Sequence, residues 1–141
     1  MRILSLNLHS YQEKEPIKKL KTIADTILEQ EIDVICFSEC AQRYFTPLIE
    51  HTVRKDNAAY LIWQYLKTQG AAYELRYEPV HLGYFGFVEG LAVLSRYPIL
   101  RCESFYVSKQ KTMWTPNTRK AMEIIIDGEE PFALYNSMSQ E

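Results

Sequence analysis

Val88-Glu89-Gly90-Leu91-Ala92-Val93-Leu94-Ser95-Arg96-Tyr97-Pro98-Ile99 holds a strand with no polar face. Leu91–Leu94 is continuously apolar and is stopped by Arg96-Tyr97-Pro98. Such a run needs cover on both sides. Upstream, Val34-Ile35-Cys36-Phe37 has the same character, starts at Asp33 and ends in the polar pair Ser38-Glu39. Arg2 to Leu8 alternates, with Ser5 and Asn7 between Leu4, Leu6 and Leu8, and reads as a strand ending near Asn7.

Between these strands the period becomes helical. Ile17, Leu20, Ile23, Ala24, Ile27 and Leu28 share one face, Lys18, Lys19, Lys21 and Glu29 the other, and Pro16 fits a first turn. The lysines are therefore read as a solvated helix face. Residues 40–55 read as a loop with one helical turn. Asp56 or Asn57 caps a second helix running to Gln69, with Gly70 closing it. Tyr73, Leu75 and Tyr77 return to period two, Gly83–Phe87 is an aromatic loop, and another strand covers about 100–107. A polar loop, Ser108–Thr118, precedes Ala121–Ile126 and Phe132–Tyr135, which flank the hairpin signal Asp127-Gly128. Strand, helix, strand, helix and then a run of strands makes a mixed α/β (α+β) layer, not a regular alternation of strand and crossover helix.

The composition bounds the function. In 141 residues, 47% are hydrophobic and 24% charged, the values of a globular domain and not of a disordered or fibrous chain. The length suits one domain. A net charge of −2 gives no electrostatic case for tight nucleic-acid binding. No apolar run is long enough for a bilayer. Cys36, Cys40 and Cys102 lack zinc-knuckle spacing, and no signal peptide is recognisable, so free thiols in a reducing cytoplasm are expected.

Asn7 and Glu39 each stand at the C-terminal end of an apolar strand. If those strands are neighbours, an amide oxygen and a carboxylate converge on one edge of the sheet. That donor set suits a hard cation such as Mg²⁺, which takes few protein ligands and keeps several waters. Equally, Asn7 could cap a turn and Glu39 be a solvated strand terminus.

Four ordered segments weigh against the plainer alternative. Ser5-Leu6-Asn7, Asp33–Glu39, Val88–Ile99 and Thr118-Arg119-Lys120-Ala121 together resemble the endonuclease/exonuclease/phosphatase superfamily, and within it bacterial sugar-phosphate phosphatases such as maltose 6'-phosphate phosphatase. The resemblance implies the N-terminal lobe of a four-layer α/β/β/α sandwich, a mixed sheet with helices on one face. It implies a cytoplasmic Mg²⁺-dependent (or Mn²⁺-dependent) phosphatase of a small phosphorylated substrate. Glu39 would bind the metal. Asn7 would assist it or hold the scissile phosphate, Arg119 would meet a phosphate oxygen, and Glu89 would orient a catalytic His.

The family pattern also breaks. Where Asn-x-His-Leu is expected, Asn136-Ser137-Met138 stands, and a thioether cannot donate a proton. Neither His9, His51 nor His81 falls at the missing position, and only Ser139-Gln140-Glu141 follows. Residues 1–141 are thus expected to be a partial domain without its C-terminal lobe, with weak metal binding and no turnover. A non-catalytic role by association is one alternative. The other is a nuclease, suggested by Lys109, Lys111 and Trp114 in one loop. Two helices cannot cover both faces of strands such as Leu91–Leu94. A bare apolar face beyond the roughly 300–600 Å² of ordinary monomers, and self-association through it, are therefore expected.

Overall fold

The computed structural model describes residues 1–12, 14–83 and 85–138. Tyr84 of the aromatic loop and the tail Ser139–Glu141 lie outside the described residues. The elements are β1 (Ile3–Asn7), a 3-10 turn (Ser10–Gln12), α1 (Pro16–Glu29), β2 (Val34–Arg43), β3 (Leu48–Glu50), β4 (Val53–Arg54) and α2 (Ala58–Thr68). They continue with β5 (Glu74–Leu82), β6 (Phe87–Ser95), β7 (Ile99–Tyr106), β8 (Lys120–Asp127) and β9 (Pro131–Ser137).

A mixed sheet runs β1-β2-β6-β5, with β1 parallel to β2 and the other pairs antiparallel. Both helices cover one face of it. Leu20, Ala24 and Ile27 recur at helical spacing on α1, and Ala58, Ala59, Ile62 and Leu66 on α2. They bury Ile35, Phe37, Ala92 and Leu94. Asn57, not Asp56, caps α2, accepting from the Tyr60 N–H at 3.1 Å. Asp56 instead takes the backbone N–H and guanidinium of Arg43. Cys40 belongs to this core, with Sγ accepting from the Ala59 N–H at 3.4 Å. Burial pushes its thiol up to about 12, and the three cysteines are free.

The other face of the sheet is not bare. β7, β8 and β9 form a second, antiparallel sheet. Its inward residues Ile99, Met122, Ile124 and Ile126, with Met138 just past β9, pack on Val34, Cys36, Leu91 and Val93. The expected apolar patch on the first sheet is therefore absent, because the strands after Pro98 fold back over it. The layers run helices, mixed sheet, antiparallel sheet. The outward face of the second sheet is mixed: Leu100, Phe105 and Tyr135 are exposed beside the Arg101–Glu103 and Arg101–Glu123 ion pairs.

Two further expectations are corrected. β2 does not end at Phe37 but continues to Arg43, and residues 48–54 hold the β3–β4 ribbon in place of a helical turn. The hairpin pairs Asp127 with Pro131, so its loop is Gly128–Glu130. No helix among the described residues is long and apolar enough to cross a membrane.

Candidate active site

Two bulges, one in β2 and one in β5, set the backbone at Glu39 and at His81. In β2, Phe37 pairs with Ala92 and Cys40 with Gly90, so Ser38 and Glu39 together oppose Leu91. The extra residue is absorbed at Glu39, whose φ is 49°. Glu39 is thus a mid-strand bulge, not a strand terminus. The backbone groups the bulge releases find partners. The Ser10 hydroxyl donates to the Glu39 carbonyl at 2.6 Å and accepts from the Ala41 N–H at 2.9 Å. The Asn136 amide on β9 donates to the Phe37 carbonyl at 2.9 Å.

Asn7 sits opposite Ser38 in the parallel β1–β2 ladder, one residue from Glu39. Its Oδ1 accepts from the His9 N–H at 3.1 Å. His9 Nδ1 in turn lies 2.9 Å from Glu39 Oε2. That approach lacks the alignment of a hydrogen bond, and Oε2 is buried with no hydrogen-bond donor. Of the plainer alternative, the turn is present, since Asn7 braces it, while Glu39 is no strand terminus; Asn7 and Glu39 are linked through His9.

Glu89 lies on β6 in phase with Leu91 and Val93, on the face toward the second sheet, and is 9% exposed. Gly83 makes room for it, and Gly90 lets β5 approach β6 beside it. A Cβ on Gly83 would stand 2.5 Å from Glu89 Oε1, and one on Gly90 would overlap the Glu78 carbonyl oxygen. Burial raises the Glu89 carboxyl above its ordinary range. His81, Arg119 and His9 pull it back down, and Glu39 adds to the rise. Five titratable groups from different elements therefore share one electrostatic neighbourhood.

Arg119 enters from the loop before β8. Its Nη1 donates to the Pro116 and Thr118 carbonyls at 2.7 and 2.9 Å, which fixes the fork, while Nε is buried without a partner. Met138 is 8% exposed and packs inward in the core between the sheets, so the position where the family pattern has its His is occupied by a thioether.

No family model matches the sequence, and no curated protein matches it significantly. Solved structures do. An endonuclease/exonuclease/phosphatase family protein from Leptotrichia buccalis superposes with a TM-score of 0.94 at 27% identity, over 99% of this chain and 55% of that one. The fold is that of the endonuclease/exonuclease/phosphatase superfamily. Fold likeness within it extends to the Bacteroides thetaiotaomicron mannosyl-6-phosphatase (TM-score 0.57, 13% identity, covering 96% of this chain and 50% of that one). It extends also to TDP2 from D. rerio complexed with a single-strand DNA product (TM-score 0.61, 15% identity, 99% and 46%). The chain thus spans about half the length of these endonuclease/exonuclease/phosphatase proteins.

His81 was missed by the sequence reading. Period two places it on the face of Tyr77, toward the helices. The β5 bulge between Pro79 and His81 shifts it to the other face, directly opposite Glu89. Pro79 before a bulge on an edge strand was the available signal.

Proposed function

We propose that the chain carries a phosphoester-hydrolase site for a small phosphorylated substrate. The observation that carries the reading is a pair of complementary buried atoms left without hydrogen bonds, although His9 Nδ1 lies 2.9 Å from the first. Glu39 Oε2 is a carboxylate oxygen lacking a donor, and Arg119 Nε a guanidinium nitrogen lacking an acceptor. A divalent cation satisfies the first and a phosphoryl oxygen the second. No group of three His, Cys, Asp or Glu gathers among the described residues, so the protein donors such an ion would have are Glu39 and the Asn7 amide, with water completing the shell of a Mg²⁺ or Mn²⁺. When bound, such an ion polarises the phosphoryl group and offsets its charge. Arg119 orients that group through its fixed fork. Glu89, buried beside it, responds to charge at the site.

A nucleic-acid substrate has less support. Lys109 and Lys111 are exposed and Trp114 stands edge-on to Tyr44 at 6.0 Å, but the net charge of −2 supplies no steering field.

Titration calorimetry with inorganic phosphate, with and without Mg²⁺, tests the reading. Arg119→Ala should weaken phosphate about tenfold to a hundredfold. Mg²⁺ should strengthen phosphate binding in the unmodified chain but not in Glu39→Gln. Phosphate binding indifferent to both substitutions would overturn the reading.

A further inference from the structure

Among the described residues, only three buried side-chain nitrogen or oxygen atoms lack a hydrogen-bond partner: Glu39 Oε2, Arg119 Nε and His81 Nε2. Unsatisfied buried groups are rare and costly, so each calls for an explanation. The first two are absorbed by the phosphoester reading. The third is not, and it lies in the same place. His81 is 6% exposed and faces Glu89 across the β5–β6 ladder. Its strand is tied to the segment that carries Arg119: the Leu82 N–H donates to the Met113 carbonyl at 2.8 Å, and Lys120 Nζ to the Pro79 carbonyl at 3.2 Å.

The free nitrogen has a defined character. His81 Nδ1 is 3.0 Å from the Leu82 carbonyl oxygen. A carbonyl only accepts, so Nδ1 carries the hydrogen, and Nε2 of the neutral ring presents a lone pair. What it requires is a hydroxyl or a water. Next to an oxyanion held by Arg119, the group that offers a hydrogen is a P–OH. We propose that His81 Nε2 accepts a hydrogen bond from the hydroxyl of a bound phosphate, making it a third substrate-contacting residue beside Glu39 and Arg119.

The inference rests on the phosphoester reading and sharpens it. A phosphate released by hydrolysis carries a hydroxyl whose oxygen came from the attacking water. An acceptor placed for that hydroxyl is also placed to orient the water before attack. A phosphomonoester dianion has no P–OH, so in its complex Nε2 pairs with the attacking water, and in the product complex with the hydroxyl of the phosphate. A tetrahedral oxyanion without a hydroxyl leaves Nε2 unpaired, and sites built around a hydrogen bond reject analogues that lack the donor.

Phosphate and sulfate provide the test. At about pH 8 both are dianions of similar shape, and only phosphate bears a hydroxyl. Calorimetry of the full chain should show phosphate preferred by at least about tenfold. His81→Phe should bring the ratio near unity, whereas Arg119→Ala should weaken both anions. Because His81→Phe can fail to fold, ¹⁵N NMR of the unmodified ring supplies a second readout. The Nε2 resonance should move with phosphate but not with sulfate. Equal binding of the two anions, or an Nε2 resonance indifferent to phosphate, would overturn the role of His81 while leaving the oxyanion site intact. Binding of neither anion would remove the phosphoester reading and this inference together.

Discussion

The side-chain amide of Asn136 donates to the carbonyl of Phe37 at 2.9 Å across 99 positions of sequence, and to that of Ala92 at 3.2 Å. This contact ties the second sheet to the first at the residue where β2 begins its bulge. Glu39 is turned into the site by that bulge, so the packing of the two sheets and the placing of the carboxylate are one structural event. Asn136→Ala leaves two buried carbonyls without this donor. It should cost about 1–3 kcal/mol, read as a lowered midpoint in urea at unchanged slope. A midpoint within error of the parent would show that Asn136 does not hold the bulge.

Glu89 makes stability depend on pH. Burial holds its carboxyl above the ordinary range, so the folded state binds the proton more tightly than the unfolded state does. The contribution is fully present below the unfolded value, about 4.3. It is lost as pH rises through the folded value. Measured by urea titration at a series of pH values, the parent should lose stability relative to Glu89→Gln as pH rises through the weakly acid range. A difference independent of pH would contradict the burial argument.

Gly90 allows β5 and β6 to approach at the site. A methyl group there would overlap the Glu78 carbonyl oxygen and stand 2.8 Å from the Tyr77 hydroxyl. Gly90→Ala should destabilise by about 1–3 kcal/mol through overpacking. Its thermal midpoint should fall accordingly, and an unchanged midpoint would show that the strands separate freely.

Turnover by residues 1–141 alone should be negligible. Met138 fills the position where the family pattern has a proton donor, and Glu39 is a lone carboxylate at the metal corner. Loss of an acid–base group alone costs about 10²–10⁴ in rate. Robust Mg²⁺-dependent release of phosphate from sugar phosphates, abolished by Glu39→Ala, would contradict this.

Much of this was legible in the sequence. The doubly apolar runs Val34–Phe37 and Leu91–Leu94 are the two central strands of the mixed sheet, and the 3.6-residue periods are its helices. That β1 and β2 are neighbours was legible from their apolar runs, but that Glu39 lies within β2 and not at its end was not. Nor were the bulges. A one-residue insertion leaves composition untouched and reverses every later side chain, which is why β2 was cut short and His81 was not read as a site residue. The cover supplied by β7–β9 was likewise invisible. Alternation shows that β8 has an inward face, but not that the face returns onto Leu91 and Val93.

The central claim is that Glu39 and Arg119 serve one bound phosphate, the carboxylate through a divalent ion and the guanidinium directly. The most direct measurement is a crystal structure of the chain grown with Mn²⁺ and tungstate, each located by its anomalous scattering. The account predicts Mn²⁺ on Glu39 Oε2 beside Asn7, with tungstate between it and Arg119 Nε. Tungstate bound away from Arg119, or Mn²⁺ bound away from Glu39, would contradict it.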